Sequence, residues 1–210
     1  RLEFKEKKYA GHHLEEGYNG FFLTGLAHSW MKDVNIHNAD SGVIINGSKN
    51  MTLDQISVTG RTGHYSVMIG GCYGVLCKNF EFMSGALHDP SFNGKTMLCA
   101  YSKGKIKKAH LDQHCALNNQ NLFDCIAVDE GSGLFKHGGA RYHYPTAGRF
   151  NTFWNISLNK GNNLSCRNAP EARLVGISSK TKLKIKYGPA SYMEGIDKSE
   201  IAVPSLYEYQ

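Results

Sequence analysis

No stretch of this chain approaches the roughly 20 consecutive apolar residues of a membrane-spanning helix, so no such span is expected. Its apolar segments are short and rich in β-branched residues, and no amphipathic capping helix precedes the first of them. The fixed leucine and asparagine spacing of leucine-rich repeats is missing, and the period found below is too short for propeller blades of about 40 residues. His12-His13-Leu14-Glu15-Glu16 does not fit the HExxH zinc pattern, which needs two histidines four apart on a helix. No calcium-ligand loop of recognised spacing occurs either, so neither a metal nor another cofactor is expected. Arg1 opens directly into Leu2-Glu3-Phe4 with no initiator Met and no signal peptide. The expectation is a single domain that is a mature or processed portion of a longer chain.

What is present is a repeat. Gly25 to Ile36 (GLAHSWMKDVNI), Gly47 to Val58 (GSKNMTLDQISV) and Gly71 to Phe82 (GCYGVLCKNFEF) align in register, with 22 and 24 residues between the leading glycines. A fixed period in this range marks an array whose units bury their apolar faces only by stacking. Each unit closes on period-2 alternation: Val34/Ile36, Ile56/Val58 and Phe80/Phe82 are apolar, while Asn35, Ser57 and Glu81 between them are polar. A second apolar run accompanies each unit, at Phe21-Phe22-Leu23, Val43-Ile44-Ile45, Val67-Met68-Ile69 and Met97-Leu98-Cys99. Weaker copies extend the pattern to His12-His13-Leu14 upstream, and to Ala109-His110-Leu111, Ile156-Ser157-Leu158 and Leu183-Lys184-Ile185 downstream. The fold class predicted is all-β, a parallel β-helix of roughly seven rungs, right-handed by the rule for parallel crossovers. A Gly- and aromatic-rich stretch near 129–150 is expected to project as a long loop lobe.

On this architecture of rungs, roughly over residues 10 to 160, the chain resembles the pectate-lyase-like family of right-handed parallel β-helices. The resemblance implies cleavage of a polysaccharide, by elimination or by hydrolysis, in a groove along the outer face of the solenoid.

Six cysteines are an even number, and four Asn-x-Ser/Thr sequons at Asn46, Asn50, Asn155 and Asn163 are glycosylation candidates; both features fit a secreted chain. Cys99 and Cys125 occupy similar places on successive rungs, where strands about 4.8 Å apart suit a disulfide, and are the pair expected. The net charge of +6 and the lysine runs 103–108 and 180–186 suit an anionic partner. Outside the cell that partner is an acidic polysaccharide rather than nucleic acid, although lysines also serve to protect strand edges. An uncapped end rung would also suit association with another chain or with the rest of a precursor.

Aligning the rungs predicts an outward column of His13, Asn35, Ser57, Glu81 and His110, with His12 pointing inward as a core histidine. Beyond it the turns carry Glu15, His37, Asp40, Arg61, His64, His88, Asp89, Asp112 and His114, so one edge is lined with ionisable groups. The turns after Thr59 and Met83 are long enough to wall a groove, and Tyr142 in the lobe is placed to stack on a sugar face. A lyase needs a cation or metal to neutralise the uronate carboxylate, a base for the adjacent proton and an acid for the leaving oxygen. His64 or His88 fits the base, with Arg61 neutralising charge and Asp89 beside them. Substrate-binding candidates are His13, Glu15, His37, Asp40, Glu81, His110, Asp112, His114 and Tyr142. A glycoside hydrolase would instead pair two carboxylates among Asp40, Glu81, Asp89 and Asp112, and a glycan-binding or structural β-helix would need neither set.

Overall fold

The computed structural model describes residues 1–114, 117–135, 147–198 and 200–210. In chain order the strands are β1 (Leu2–Glu3), β2 (Asn19–Thr24), β3 (Ala27–His37), β4 (Ser41–Asn46), β5 (Lys49–Thr59), β6 (Tyr65–Gly70), β7 (Tyr73–Phe82), β8 (Ser91–Asn93) and β9 (Ala100–Lys108). They continue with β10 (Asp112–Gln113), β11 (Leu122–Glu130), β12 (Thr152–Lys160), β13 (Asn163–Cys166), β14 (Arg173–Val175), β15 (Ser178–Ser179), β16 (Lys184–Tyr187) and β17 (Tyr192–Glu194). A short helix, α1 (Leu206–Tyr209), follows. All strand pairings among the described residues are parallel. One sheet runs β1-β3-β5-β7-β9-β11-β12-β14-β17, with β15 also on β12; a second runs β10-β8-β6-β4-β2; β13 and β16 form a third. The result is a parallel β-solenoid of about seven turns. Among the described residues no helix is long and apolar enough to cross a membrane.

The alternating residues build the core by stacking like on like. Ile36, Val58, Phe82, Ile106, Val128 and Leu158 are register partners along the large sheet, and all are buried. A second column places Tyr101, Phe123 and Phe153 nearly parallel, with ring centroids 5.8 and 5.2 Å apart. Where the array reaches Gly104, the ring of Phe80 fills the space; a Cβ there would lie 2.0 Å from Phe80 Cε2.

The long strands turn corners without loops. Asp33, Gln55, Asn79, Lys103, Cys125 and Asn155 occupy one corner column with φ between 51° and 58°, and His28, Asn50, Leu98 and Gln120 do the same in another. Each left-handed residue costs roughly 1–2 kcal/mol for a side chain bearing Cβ, and here each stacks beside neighbours of the same backbone conformation. Side-chain amides add rungs of their own: Asn121 Oδ1 accepts from Cys99 N and Asn151 Oδ1 from Asn121 N, both at 3.0 Å.

Several sequence expectations change. His12-His13-Leu14 is a loop, and the first rung of the large sheet is β1, whose Leu2 pairs with Ile36. The outward column continues from Glu81 to Lys105, not to His110, because Ala109-His110-Leu111 belongs to a turn. Phe92 of β8, not Met97-Leu98-Cys99, extends the run through Ile45 and Ile69; Met97 bridges to Tyr73 and Asn119 instead. Leu183-Lys184-Ile185 contributes to the separate β13–β16 pair. The lysine run 103–108 lies in β9, between β7 and β11, so it protects no edge. Asp129 and Glu130 close β11, and residues 136–146 of the expected lobe lie outside the described residues.

The expected Cys99–Cys125 disulfide is absent: Cys72, Cys77, Cys99, Cys125 and Cys166 are free thiols. Cys99 stands beside Asn121, whereas Cys125 occupies the corner column beside Lys103, so the two do not face each other. Of the sequons, Asn50 and Asn163 are exposed, while the Asn155 amide donates to Pro204 O at 2.8 Å.

Candidate functional site

The ionisable edge lies where the large sheet hands over to the smaller one, in the turns 38–40, 60–64, 83–90 and 109–111. These turns lengthen from the first to the third; successive rungs present Asp40, His64 and His88, linked by His64 N donating to Asp40 O and His88 N to His64 O, and Asp112 opens β10 directly after the fourth turn. A loop from the N-terminal segment lies against it. Asp40 Oδ2 accepts from Gly17 N and Tyr18 N at 3.0 and 2.8 Å, and Asp40 N donates to Tyr18 O at 2.8 Å. A turn closed by Leu14 N donating to Gly11 O at 3.1 Å presents His12 and His13, with His13 at φ 63°.

Six of the ten histidines form one contiguous array. His13 stacks on His12 with centroids 3.8 Å apart. His12 lies 4.8 Å from His64 and 5.3 Å from His88, and His64 lies 5.2 Å from His88. His88 continues to His114 at 5.1 Å and to His110 at 6.4 Å, while Tyr65 stacks on His64 at 4.3 Å. His12 and His13 are exposed, His64, His88 and His114 half-buried, and His110 buried.

Two carboxylates stand behind the rings. Glu15 Oε1 is 3.0 Å from His64 Nδ1 and accepts from Tyr9 OH at 2.8 Å. The buried Asp112 lies 3.4 Å from His88 Nδ1 through Oδ1 and 2.6 Å from His114 Nδ1 through Oδ2, and Oδ2 also accepts from Ser91 Oγ at 2.7 Å. Burial alone would push Asp112 up, but the His114 and His88 contacts outweigh it and hold this carboxyl well below the usual range. Burial likewise acts to raise Glu15, and the Tyr9 hydroxyl, a backbone N–H, His64 and His12 bring it down. Burial pushes the His64 imidazole down to about 4 against the pull of Glu15. It also lowers His12, with the positive charge of His13 and His88 adding to the effect. His64 Nε2 is buried with no hydrogen-bond partner. The ligand atoms of His12, His64 and His88 lie within 4.8 Å of one another, as do those of His88, Asp112 and His114; among the described residues these are the groups that could hold a metal ion.

Other expected residues do different things. The Arg61 guanidinium is buried, with Nη2 2.6 Å from Asp40 Oδ1 and Nε donating to Asn38 O at 2.9 Å, so it braces the loop instead of facing a groove. Asp89 is fully buried, accepts from Ser66 N and Oγ at 2.7 and 2.5 Å, and is pushed by burial to about 7. His37 pairs with Thr59 Oγ1 at 2.8 Å on the large sheet, at the foot of the first turn. Glu81 is exposed on the outer face of that sheet, where with Lys103 and Lys105 it lines a separate groove of about 440 Å³. Tyr142 lies outside the described residues.

The structure thus brings together His13, Glu15, His64, His88, His110, Asp112 and His114, and leaves His37 and Glu81 apart. Reading the sequence placed His12 inward and overlooked Tyr9 and Tyr65. The error came from treating residues 12–14 as a rung. Tyr65 opens β6 directly after His64, where the repeat pattern gives it no separate signal. No protein family, curated protein or solved structure matches this chain.

Proposed function

We propose that this β-solenoid cleaves an acidic polysaccharide by β-elimination at the histidine array, as an extracellular protein. The observation that carries this reading is the concentration of six imidazoles on one edge, backed by the carboxylates of Glu15 and Asp112. Elimination from a uronate needs positive charge near the substrate carboxylate, a base and a proton donor. Imidazoles supply base and acid near neutral pH. In this reading the exposed His13 takes the proton, and Tyr65, stacked on His64, protonates the leaving oxygen. The net charge of +6 favours an anionic chain approaching this edge.

Hydrolysis fits less well. It requires two carboxyl groups facing each other across the scissile bond, yet Asp40, Asp89 and Asp112 are buried and hydrogen-bonded, and Glu81 is on a different face. The test is to offer polygalacturonate, alginate and glycosaminoglycans while following the ultraviolet absorbance of an unsaturated uronate. The expected result is a rise with one of them that His13→Ala lowers by about 10²–10⁴-fold, the usual worth of a general base. No rise with any acidic polymer, while one of them binds, would overturn cleavage in favour of a glycan-binding role.

A further inference from the structure

We propose that His12, His64 and His88 form a binding site for a divalent transition-metal ion of the zinc class, with Glu15 and Asp112 orienting two of the three ligands. The proposal concerns the site described above and rests on the cleavage reading only for what the metal would do there.

Three observations converge. The candidate ligand atoms of the three histidines already lie within 4.8 Å of one another, and their rings form a triangle with centroid separations of 4.8, 5.3 and 5.2 Å. Nitrogens about 2.0–2.1 Å from a tetrahedral zinc stand roughly 3.3 Å apart. Closing the set therefore takes shifts of about 1 Å, which an exposed ring on a loop, such as His12, can make. The other two rings each carry a carboxylate on Nδ1: Glu15 at 3.0 Å from His64 and Asp112 at 3.4 Å from His88. A ligating histidine is almost always held in this way through its second nitrogen, which fixes the tautomer and turns the other nitrogen toward the ion. For His64 that other nitrogen, Nε2, is buried and has no hydrogen-bond partner, an arrangement that is unfavourable unless something binds it.

Charge and donor type select the ion. Glu15 and Asp112 supply two negative charges against a dication, so the site does not accumulate net positive charge. Imidazole nitrogens suit zinc, copper, nickel and iron, whereas calcium and magnesium take oxygen ligands. Three protein ligands leave a fourth position open, the pattern of catalytic rather than structural zinc. A metal held there would polarise a substrate oxygen and neutralise a uronate carboxylate, a task that Arg61 cannot perform because its guanidinium is committed to Asp40. His114, on the far side of Asp112, helps fix that carboxylate.

The test is metal binding to the whole chain after chelator treatment, by calorimetry with Zn²⁺ and by the visible absorption of Co²⁺. One ion per chain and a Co²⁺ spectrum of four-coordinate type are expected. His12→Ala, on an exposed loop where loss of the fold is not expected, should weaken binding at least tenfold. Glu15→Gln should weaken it about 10- to 100-fold, as for other groups that orient a ligand, with the thermal melting of the metal-free protein as the check on folding. Absence of stoichiometric Zn²⁺ or Co²⁺ binding, or binding that His12→Ala and His64→Ala both leave unchanged, would overturn the site. Because the readout is binding, a metal-loaded protein that cleaves no polymer sinks the cleavage reading alone, and cleavage that persists at full rate without metal sinks the catalytic use of the ion.

Discussion

The carboxylate of Asp40 holds the Arg61 guanidinium at 2.6 Å through one oxygen and the backbone N–H groups of Gly17 and Tyr18 through the other. One buried ion pair thereby ties the second turn of the solenoid to the loop that carries His12, His13 and Glu15. Removing one partner of such a pair leaves an uncompensated buried charge, worth about 3–5 kcal/mol. Arg61→Ala is therefore expected to lower the unfolding free energy by that order, measured by chemical denaturation, and to open the N-terminal loop to protease before the rest of the chain unfolds. Equal protease resistance in the variant and the native protein would refute the tie.

Gly104 is a packing prediction. A Cβ at this position would meet the Phe80 ring at 2.0 Å, and Phe80 is itself held between Phe82 and Tyr101. Gly104→Ala should destabilise the fold by about 1–3 kcal/mol, the usual cost of overpacking, measured by chemical denaturation. Combining it with Phe80→Leu should recover part of the loss.

The C-terminal segment folds back onto the large sheet through Asp124. This buried carboxylate accepts from Ser102 Oγ at 2.7 Å, Ser205 Oγ at 2.6 Å and Leu206 N at 2.8 Å, and Trp154 Nε1 donates to Val203 O at 2.8 Å. Hydrogen bonds to a charged group contribute about 1.5–3 kcal/mol each. In Asp124→Ala the residues from about Val203 onward should become the first site of limited proteolysis, read by mass spectrometry of the fragments.

The thiols predict an alkaline limit to stability. Burial pushes Cys99 and Cys166 up to about 12, whereas in the unfolded chain a cysteine ionises near 8.5. A folded pKa above the unfolded one means that the unfolded state loses its proton first. The stabilisation is therefore fully present below about pH 8.5 and is lost as pH rises toward about 12. The urea midpoint should fall between pH 8 and pH 10. Without denaturant the half-buried Cys125 should be alkylated first among the described cysteines, and in denaturant all five should titrate as thiols without a reductant. A midpoint that rises with pH, or thiols that appear only after reduction, would contradict this.

Much of the solenoid was legible because its period is written in side-chain type. The pairs Ile56/Val58 and Phe80/Phe82 repeat at a spacing that only stacking satisfies, and each proved to be a buried rung. The turns after Thr59 and Met83 showed their length directly. The corners were not legible: Lys103, Leu98 and Cys125 adopt left-handed backbone that their own chemistry disfavours and that only the neighbouring rungs impose. Gly104 hid the continuation of a core column, since its partner fills the site from another turn.

The array of histidines shows where the division falls. Local sequence determined the period, the parallel strands and the presence of ionisable residues in the turns, because each depends on neighbours within about one rung. Tertiary structure alone decided that His12 meets His64 and His88, that Glu15 and Asp112 stand behind those rings, and that Arg61 turns away to Asp40. These contacts join residues about 20 to 75 positions apart, and they depend on how an irregular loop docks on the stack, for which side-chain periodicity carries no signal.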